Sequence, residues 1–169
     1  MLERTRNLHT VTKRLIVMTT FTLLIVVGVF GVTLILHGRF MVSWVAFGCG
    51  LLGGFVSIQQ RLKLLGDEEL ESLAKSWFQI LLIPIYGGIF SLVLYVAFLS
   101  EIVTGTLFPH FSIPAFTAPM PTRDDMIAFL DATFPSSGQD VAKLLFWSFV
   151  AGFSERFVPQ ILEKTSEAE

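Results

Sequence analysis

Three long stretches of this chain carry no charged side chain, and this pattern limits the folds open to it. The stretches Leu15–Leu36, Phe40–Ile58 and Phe78–Ser100 contain no Asp, Glu, Lys or Arg. About 20 apolar residues in a helix cross a hydrocarbon core about 30 Å thick, so each stretch predicts a membrane span. The first could instead be a signal peptide, but it is too long and no Ala-x-Ala-like cleavage site follows it. We expect a retained span.

Composition supports a membrane protein. The 169 residues are 53% hydrophobic and 15% charged, against about 25% charged in soluble domains. We expect an all-α, polytopic fold with four transmembrane helices in a bundle, forming one membrane domain over 1–169. The single Cys49 and the scattered His9, His37 and His110 predict neither a disulfide nor a metal site. We expect no cofactor.

The second span, 40–58, carries a stripe of small residues. Small-xxx-small spacing lets helix backbones approach closely in lipid. We favour packing within one protomer over the alternative, an oligomer interface. The stripe lies within about 60° of one line along the helix and consists of Ser43, Ala46, Gly50, Gly53, Gly54 and Ser57, followed by Arg61.

The polar segment after the second span predicts a short amphipathic helix over 66–77. Its apolar residues recur at helical spacing, and Glu71 and Lys75 form an i,i+4 pair. We expect this helix to lie on the membrane surface with Trp77 at the headgroups. Its charged side is a solvated face or, alternatively, a docking surface for a soluble partner. In the third span, 78–100, Pro84 predicts a kink.

The longest loop, 101–139, contains five prolines and many aromatic residues. We expect it to pack at the membrane interface; a re-entrant loop is the alternative. Thr122 followed by Asp125 predicts a helix start with a capping box. Ser137 with Asp140 is a second capping signal and predicts the start of the last helix.

Lys and Arg near span ends predict the orientation. The N-terminal segment, the 59–78 loop and the C-terminal segment together carry nine, and the opposite side carries three. Both termini are therefore expected in the cytoplasm, with the 101–139 loop outside.

The fourth span is expected over 140–162 although its apolar run, 144–153, has only ten residues. The helix must then include Glu155 and continue through Pro159, a second predicted kink. Charged groups at membrane depth need a partner, and Arg61 at the end of the second span is our candidate. The alternative places Glu155 at the cytoplasmic boundary. Flanking polar residues are Gln59, Gln60 and Arg156, and the small face of the last helix comprises Ser148, Ala151 and Gly152.

The stretches Gly-Gly-Phe-Val-Ser-Ile-Gln-Gln-Arg at 53–61 and Ala-Gly-Phe-Ser-Glu-Arg-Phe-Val-Pro at 151–159 form a motif pair. This pair resembles that of a family of small, uncharacterised bacterial multi-spanning proteins of the inner membrane. The resemblance covers these two stretches only. It implies a bacterial inner-membrane location and no particular activity.

Catalytic motifs are not found in the sequence, which has no Gly-rich phosphate loop, His-Glu-x-x-His or Gly-x-Ser-x-Gly. We expect no enzyme activity and no nucleic-acid binding. The expected role is an oligomeric membrane scaffold or a sensing or effector subunit. Its expected partners are the lipid bilayer and either further copies of itself or a membrane protein. The alternative is a small homo-oligomeric channel for ions or solutes.

Overall fold

The computed structural model describes residues 2–36, 42–62, 64–116 and 120–154. In these residues the chain is almost wholly helical, with one two-stranded antiparallel ribbon that pairs Phe111 with Pro135. The helices are α1 (Leu2–Leu36), α2 (Val42–Arg61), α3 (Asp67–Lys75), α4 (Trp77–Leu99), α5 (Arg123–Ala132) and α6 (Gly138–Phe153), and the strands are β1 (Phe111–Ser112) and β2 (Phe134–Pro135).

Three helices, α1, α2 and α4, are long and apolar enough to cross a membrane. The fourth predicted span is not confirmed. Helix α6 has 16 described residues, about 24 Å at 1.5 Å per residue, which is short of a hydrocarbon core. Its helical conformation ends at Phe153, where Ser154 has an extended backbone. The remainder of the predicted span, 155–162, lies outside the described residues.

Helix α1 begins well before the predicted span. The basic segment that precedes Leu15 is helical from Leu2, so α1 has 35 residues and a length of about 52 Å. Val11 and Leu15 lie one turn apart on the same face and are both buried. The buried face thus extends to residues before the predicted start of the span at residue 15, and the helix begins earlier with it.

Helix α2 is the central element, because α1, α4 and α6 all pack against it, and α4 also packs on α6. α1 and α4 contact each other at only a few positions. Two ends of the bundle are named for the helices they carry. The α3 end holds α3, the start of α1 and the last residue of α2, Arg61; the α5 end holds α5, the ribbon and the start of α6.

Helix α3 forms where the sequence predicts it, but its apolar face has a different environment. Leu70 and Leu73 are buried against Val11, Leu15 and Ile80, and not turned towards lipid. This apolar face packs on protein because the N-terminal extension of α1 supplies a surface for it. The position of α3 at the membrane surface stays a prediction.

The α5 end is closed by aromatic packing. Phe108 lies between Phe98 of α4 and Trp147 of α6, with tilted rings whose centroids are 5.6 and 5.3 Å away, and Phe111 meets the Tyr95 ring edge-on. The loop 101–112 thus packs onto the helix ends. Both predicted capping signals are confirmed, with a capping box at the start of α5 and a serine cap on α6, whose members are Thr122 with Asp125 and Ser137 with Asp140.

Candidate functional site

Three glycines bring α2, α4 and α6 into backbone contact. A Cβ atom built on Gly50 would lie 2.5 Å from the carbonyl oxygen of Gly87. One built on Gly87 would lie 2.7 Å from the carbonyl oxygen of Gly50 and 3.0 Å from the Cα of Gly152. No side chain fits at any of the three positions without moving a helix. We call Gly50, Gly87 and Gly152 the glycine junction.

Other small residues extend this contact along α2. A Cβ on Gly54 would lie 2.5 Å from the Cα of Pro84, and one on Gly53 would lie 2.7 Å from the backbone nitrogen of Phe153. The fully buried Ser91 hydroxyl donates to the carbonyl oxygen of Ala46 at 2.7 Å. Of the remaining predicted packing residues, Ser57, Ser148 and Ala151 are buried and Ser43 is half-buried. The stripe on α2 therefore contacts α4 and α6 of the same chain.

Pro84, the predicted kink, lies inside α4, which continues as a helix on both sides of it. Proline cannot donate the hydrogen bond that would reach the carbonyl oxygen of Ile80. Gly54 faces Pro84 from α2, so the proline lies in a helix–helix contact. The structure gives Pro84 a packing role.

At the α3 end, Arg14 ties three elements together. Its Nη1 donates to the carbonyl oxygen of Ala74, in the last turn of α3, at 2.6 Å. Its guanidinium also lies over the Trp77 ring, 4.9 Å from the centroid, a cation–π geometry. Arg14 thus connects α1 both to α3 and to the first residue of α4.

Arg4 makes a second connection between α1 and α3. It forms an ion pair with Asp67 and donates to the carbonyl oxygen of Leu65 at 3.2 Å. The side chains of this ion pair are 43% and 73% exposed, and exposed pairs contribute about 0–1 kcal/mol. Both arginines donate a charged hydrogen bond, worth about 1.5–3 kcal/mol, but that of Arg14 is shorter, at 2.6 Å, and half-buried, so Arg14 makes the stronger connection.

Beneath these polar contacts lies a single apolar cluster that joins α3 to the span-length helices α1, α2 and α4. It is formed by side chains from four helices and the segment after α2, so α3 cannot shift without disturbing the cluster. We call it the coupling core. Its buried members are Val11, Leu15, Phe55, Ile58, Leu62, Leu70, Leu73 and Ile80.

The opposite face of α3 is acidic and exposed. Glu68, Glu69 and Glu71 all point to solvent. Lys75 lies 2.6 Å from Glu71, and the hydrogen bond between them lowers the pKa of the Glu71 carboxyl and raises the pKa of the Lys75 ammonium. Because these side chains are exposed to solvent, this face of α3 is accessible to another molecule.

The predicted charge pair falls partly outside the described residues. Glu155, Arg156 and Pro159 lie there, whereas Arg61 ends α2 and is exposed, as are Gln59 and Gln60. The described part of α6 ends beside Gly53, and Arg61 lies eight residues further along α2, about 12 Å away. The pairing of Glu155 with Arg61 stays a prediction.

Within the described ranges, no group of three or more His, Cys, Asp or Glu side chains could hold a metal ion. The buried carboxylate Asp140 is engaged structurally. It accepts from the backbone N–H of His110 at 3.2 Å and lies 3.3 Å from the Lys143 ammonium. Together with the Ser137 cap, these contacts account for its burial at the start of α6.

Comparison with protein-family models, with curated proteins and with solved structures found no match to this chain. The resemblance of the 53–61 and 151–159 stretches to a bacterial family stays a prediction.

Sequence reasoning missed the Arg14 site, although a signal for it was present. Arg14 ends the basic segment before the first span, and Trp77 comes directly before the third span. Both residue types favour the membrane boundary, and the predicted topology places both boundaries on the same side. The predicted helix boundaries were therefore sufficient to bring the two residues to one level, but not to show that they touch.

Proposed function

We propose that this chain is a non-enzymatic integral membrane protein of the bacterial inner membrane. It works as an oligomeric scaffold or as a sensing or effector subunit, together with a protein partner. The observation that carries this proposal is the coupling core, in which side chains of α3 interlock with those of three apolar, span-length helices. A change in the packing of those helices is thereby passed to a polar surface outside the membrane.

Four spans in a bundle are part of the proposal, with the last continuing beyond the described residues towards 162. Both termini and α3 are cytoplasmic. The charge distribution supports this orientation, because the α3 end carries Arg4, Arg6, Lys13 and Arg14 on α1 alone. The loop at the α5 end carries Glu101, Asp124, Asp125 and Asp131. Lys and Arg near span ends favour the cytoplasmic side.

The glycine junction holds α2, α4 and α6 together as a rigid unit. Helices whose backbones touch cannot slide without a clash, because packed interfaces have discrete arrangements. α1, by contrast, contributes buried side chains to the coupling core only from its first half, at Val11 and Leu15. We propose that a movement of α1, when a partner or the membrane acts on it, changes the packing of the coupling core and thereby the position of α3 relative to α2, α4 and α6.

The experiment is site-specific photo-crosslinking in cells. A benzophenone amino acid is placed at Glu68 on the acidic face of α3 and, as a matched control on an exposed apolar position, at Leu82 of α4. The proposal expects a discrete protein adduct from Glu68, lost in Glu69→Lys, and none from Leu82. Adducts only between copies of this chain would restrict the role to a homo-oligomeric scaffold.

A flux measurement separates the channel alternative. The glycine junction leaves no path between α2, α4 and α6 at its level, so a channel would have to form between copies. Purified protein in liposomes is expected to pass monovalent ions at the rate of empty liposomes. Conductance above that rate, together with no protein adduct from Glu68, would contradict the scaffold proposal.

A further inference from the structure

An apolar groove of about 610 Å³ runs along α1 and α2. It extends from Met18 to Val29 on α1 and from Trp44 to Phe55 on α2, and Leu81 of α4 contributes to its wall. Each of these segments has twelve residues, which measure about 18 Å in a helix, roughly half of a hydrocarbon core about 30 Å thick. The groove therefore has the length and the chemistry of one extended acyl chain in one leaflet.

A basic pocket of about 430 Å³ lies at the α3 end of α1. Its polar lining residues include His9, Lys13 and Arg14, and Trp77 forms the opposite side. The residues described as lining it include no acidic side chain. Lys13 and His9 are exposed, so an anion can approach them from the membrane surface. A basic pocket between membrane helices on the cytoplasmic side suits an anionic lipid headgroup.

The two sites are adjoining turns of the same helices. On α1, Val17 lines the basic pocket and Phe21, one turn further, lines the groove. On α4, Trp77 lines the pocket and Leu81, again one turn further, lines the groove. Residues four apart on a helix share a face. A molecule with its charged group in the pocket thus has its tail directed into the groove.

We propose that the pocket and the groove form one binding site for an anionic glycerophospholipid. The phosphate lies between Lys13 and Arg14, and one acyl chain lies along the groove. The inference rests on the proposed membrane insertion and not on the scaffold role. It adds a ligand class to α1, the helix that joins the membrane helices to α3.

A helix from a second copy does not fit the groove. Val26 of α1 already lies over Gly48 of α2, because a Cβ on Gly48 would be 2.7 Å from the Val26 Cγ2. A helix with its side chains is about 10 Å wide, and α1 and α2 touch at this position. An acyl chain is the narrower occupant, and it is the apolar chain that a bilayer supplies.

The test uses two photoactivatable lipids with the same mid-chain diazirine, one phosphatidylglycerol and one phosphatidylcholine. Each is included at a low fraction in phosphatidylcholine vesicles that contain the full-length protein. Adducts are mapped by peptide mass spectrometry. The expected result is an excess of phosphatidylglycerol adducts on residues 17–29 and 47–55. Each basic side chain contributes about 1 kcal/mol to such binding, so Lys13→Gln is expected to lower the excess about fivefold.

Two control variants make the result specific. Lys75→Gln removes the same charge at the same end of the bundle, but Lys75 does not line the pocket, so the excess is expected to stay. Thr22→Trp fills the groove from α1 and is expected to remove the adducts on 47–55. A fivefold loss with Lys13→Gln and none with Lys75→Gln supports the site.

Three outcomes would overturn it. The first is equal labelling by the two lipids in protein that resists alkaline extraction, which leaves membrane insertion intact. The second is a phosphatidylglycerol excess that Lys13→Gln leaves unchanged, because the basic pocket would then not hold the headgroup. The third is labelling of 17–29 and 47–55 by neither lipid, together with crosslinks between copies at Trp44, because the groove would then be covered by protein.

Discussion

Gly152 lies where α6 meets α2 and α4, and a Cβ atom at this position would collide with the carbonyl oxygen of Gly50. The neighbouring Phe149 is 37% exposed at the surface of the same helix. The two positions differ in how large a side chain they can accept. Gly152 lies between helix backbones, whereas Phe149 borders open space. Side-chain volume therefore matters far more at Gly152 than at Phe149.

We predict that Gly152→Leu destabilises the protein and Phe149→Leu does not. Overpacking costs about 1–3 kcal/mol and occasionally more, and here the clash is with backbone, which cannot rotate away. The melting temperature of each variant is measured by thermal unfolding in detergent, monitored through maleimide-dye labelling of the single Cys49. Equal melting temperatures for the two variants would mean that the glycine junction does not exist in solution.

The predicted pair of Glu155 and Arg61 is also a matter of single residues. Because Arg61 is exposed at the end of α2, we expect a coupling of about 1 kcal/mol, as for surface pairs, and not the 3–5 kcal/mol cost of breaking a buried pair. The measurement is a double-mutant cycle with Glu155→Ala and Arg61→Ala in the same unfolding assay. Strict additivity would show that the two side chains do not interact.

At the scale of elements, α3 depends on α1 for its position. Its nine residues are too few for a stable isolated helix, since helices shorter than about 12 residues are marginal in water. Burial of Leu70 and Leu73 and the Arg14 hydrogen bond to Ala74 provide the missing stability. The exposed ion pair between Arg4 and Asp67 adds little.

We predict that Arg14→Gln loosens α3 and that Lys13→Gln does not. Arg14 loses a charged hydrogen bond and its contact with Trp77, a change of about 1.5–3 kcal/mol, which corresponds to about 10- to 100-fold faster local opening. Amide hydrogen exchange over 67–75 measures this directly. Faster exchange in Lys13→Gln to the same degree would indicate a general effect of charge, and not the loss of one contact.

At the scale of the whole molecule, α2 contacts α1 on one side and the pair of α4 and α6 on the other. The start of α1, at the α3 end, carries four Lys and Arg side chains, and the α5 end is rich in aromatic residues. The proposed orientation rests on the distribution of Lys and Arg and not on any single contact.

We predict that reporters fused at either terminus, or inserted within 66–72, read cytoplasmic, and that one within 122–136 reads external. The positive side chains near the span ends set this outcome. Paired phosphatase and fluorescent-protein fusions measure it. An external C-terminus would mean that the chain after Phe153 does not reach the cytoplasmic side, and the four-span arrangement would then be wrong.

The sequence by itself determined the positions of α2, α3, α4 and the two helix caps, because these depend on local signals. Charge-free runs of span length, the apolar spacing around Leu70, and the side chains of Thr122 and Ser137 each act within a few residues. The same is true of the small stripe on α2, whose composition allowed close packing. It could not show which helix would fill the stripe.

Tertiary structure alone decided what those elements touch. The start of α1 at Leu2, the burial of α3 against it and the contact of Arg14 with Trp77 depend on residues about 60 positions apart in the chain, and no local pattern encodes such a contact. The glycine junction needed three backbones from three helices to meet. Periodicity shows which face of a helix carries apolar or small side chains. The packing of the whole chain decides which helix lies against that face, because two backbones approach only as far as the bulkiest side chain between them allows.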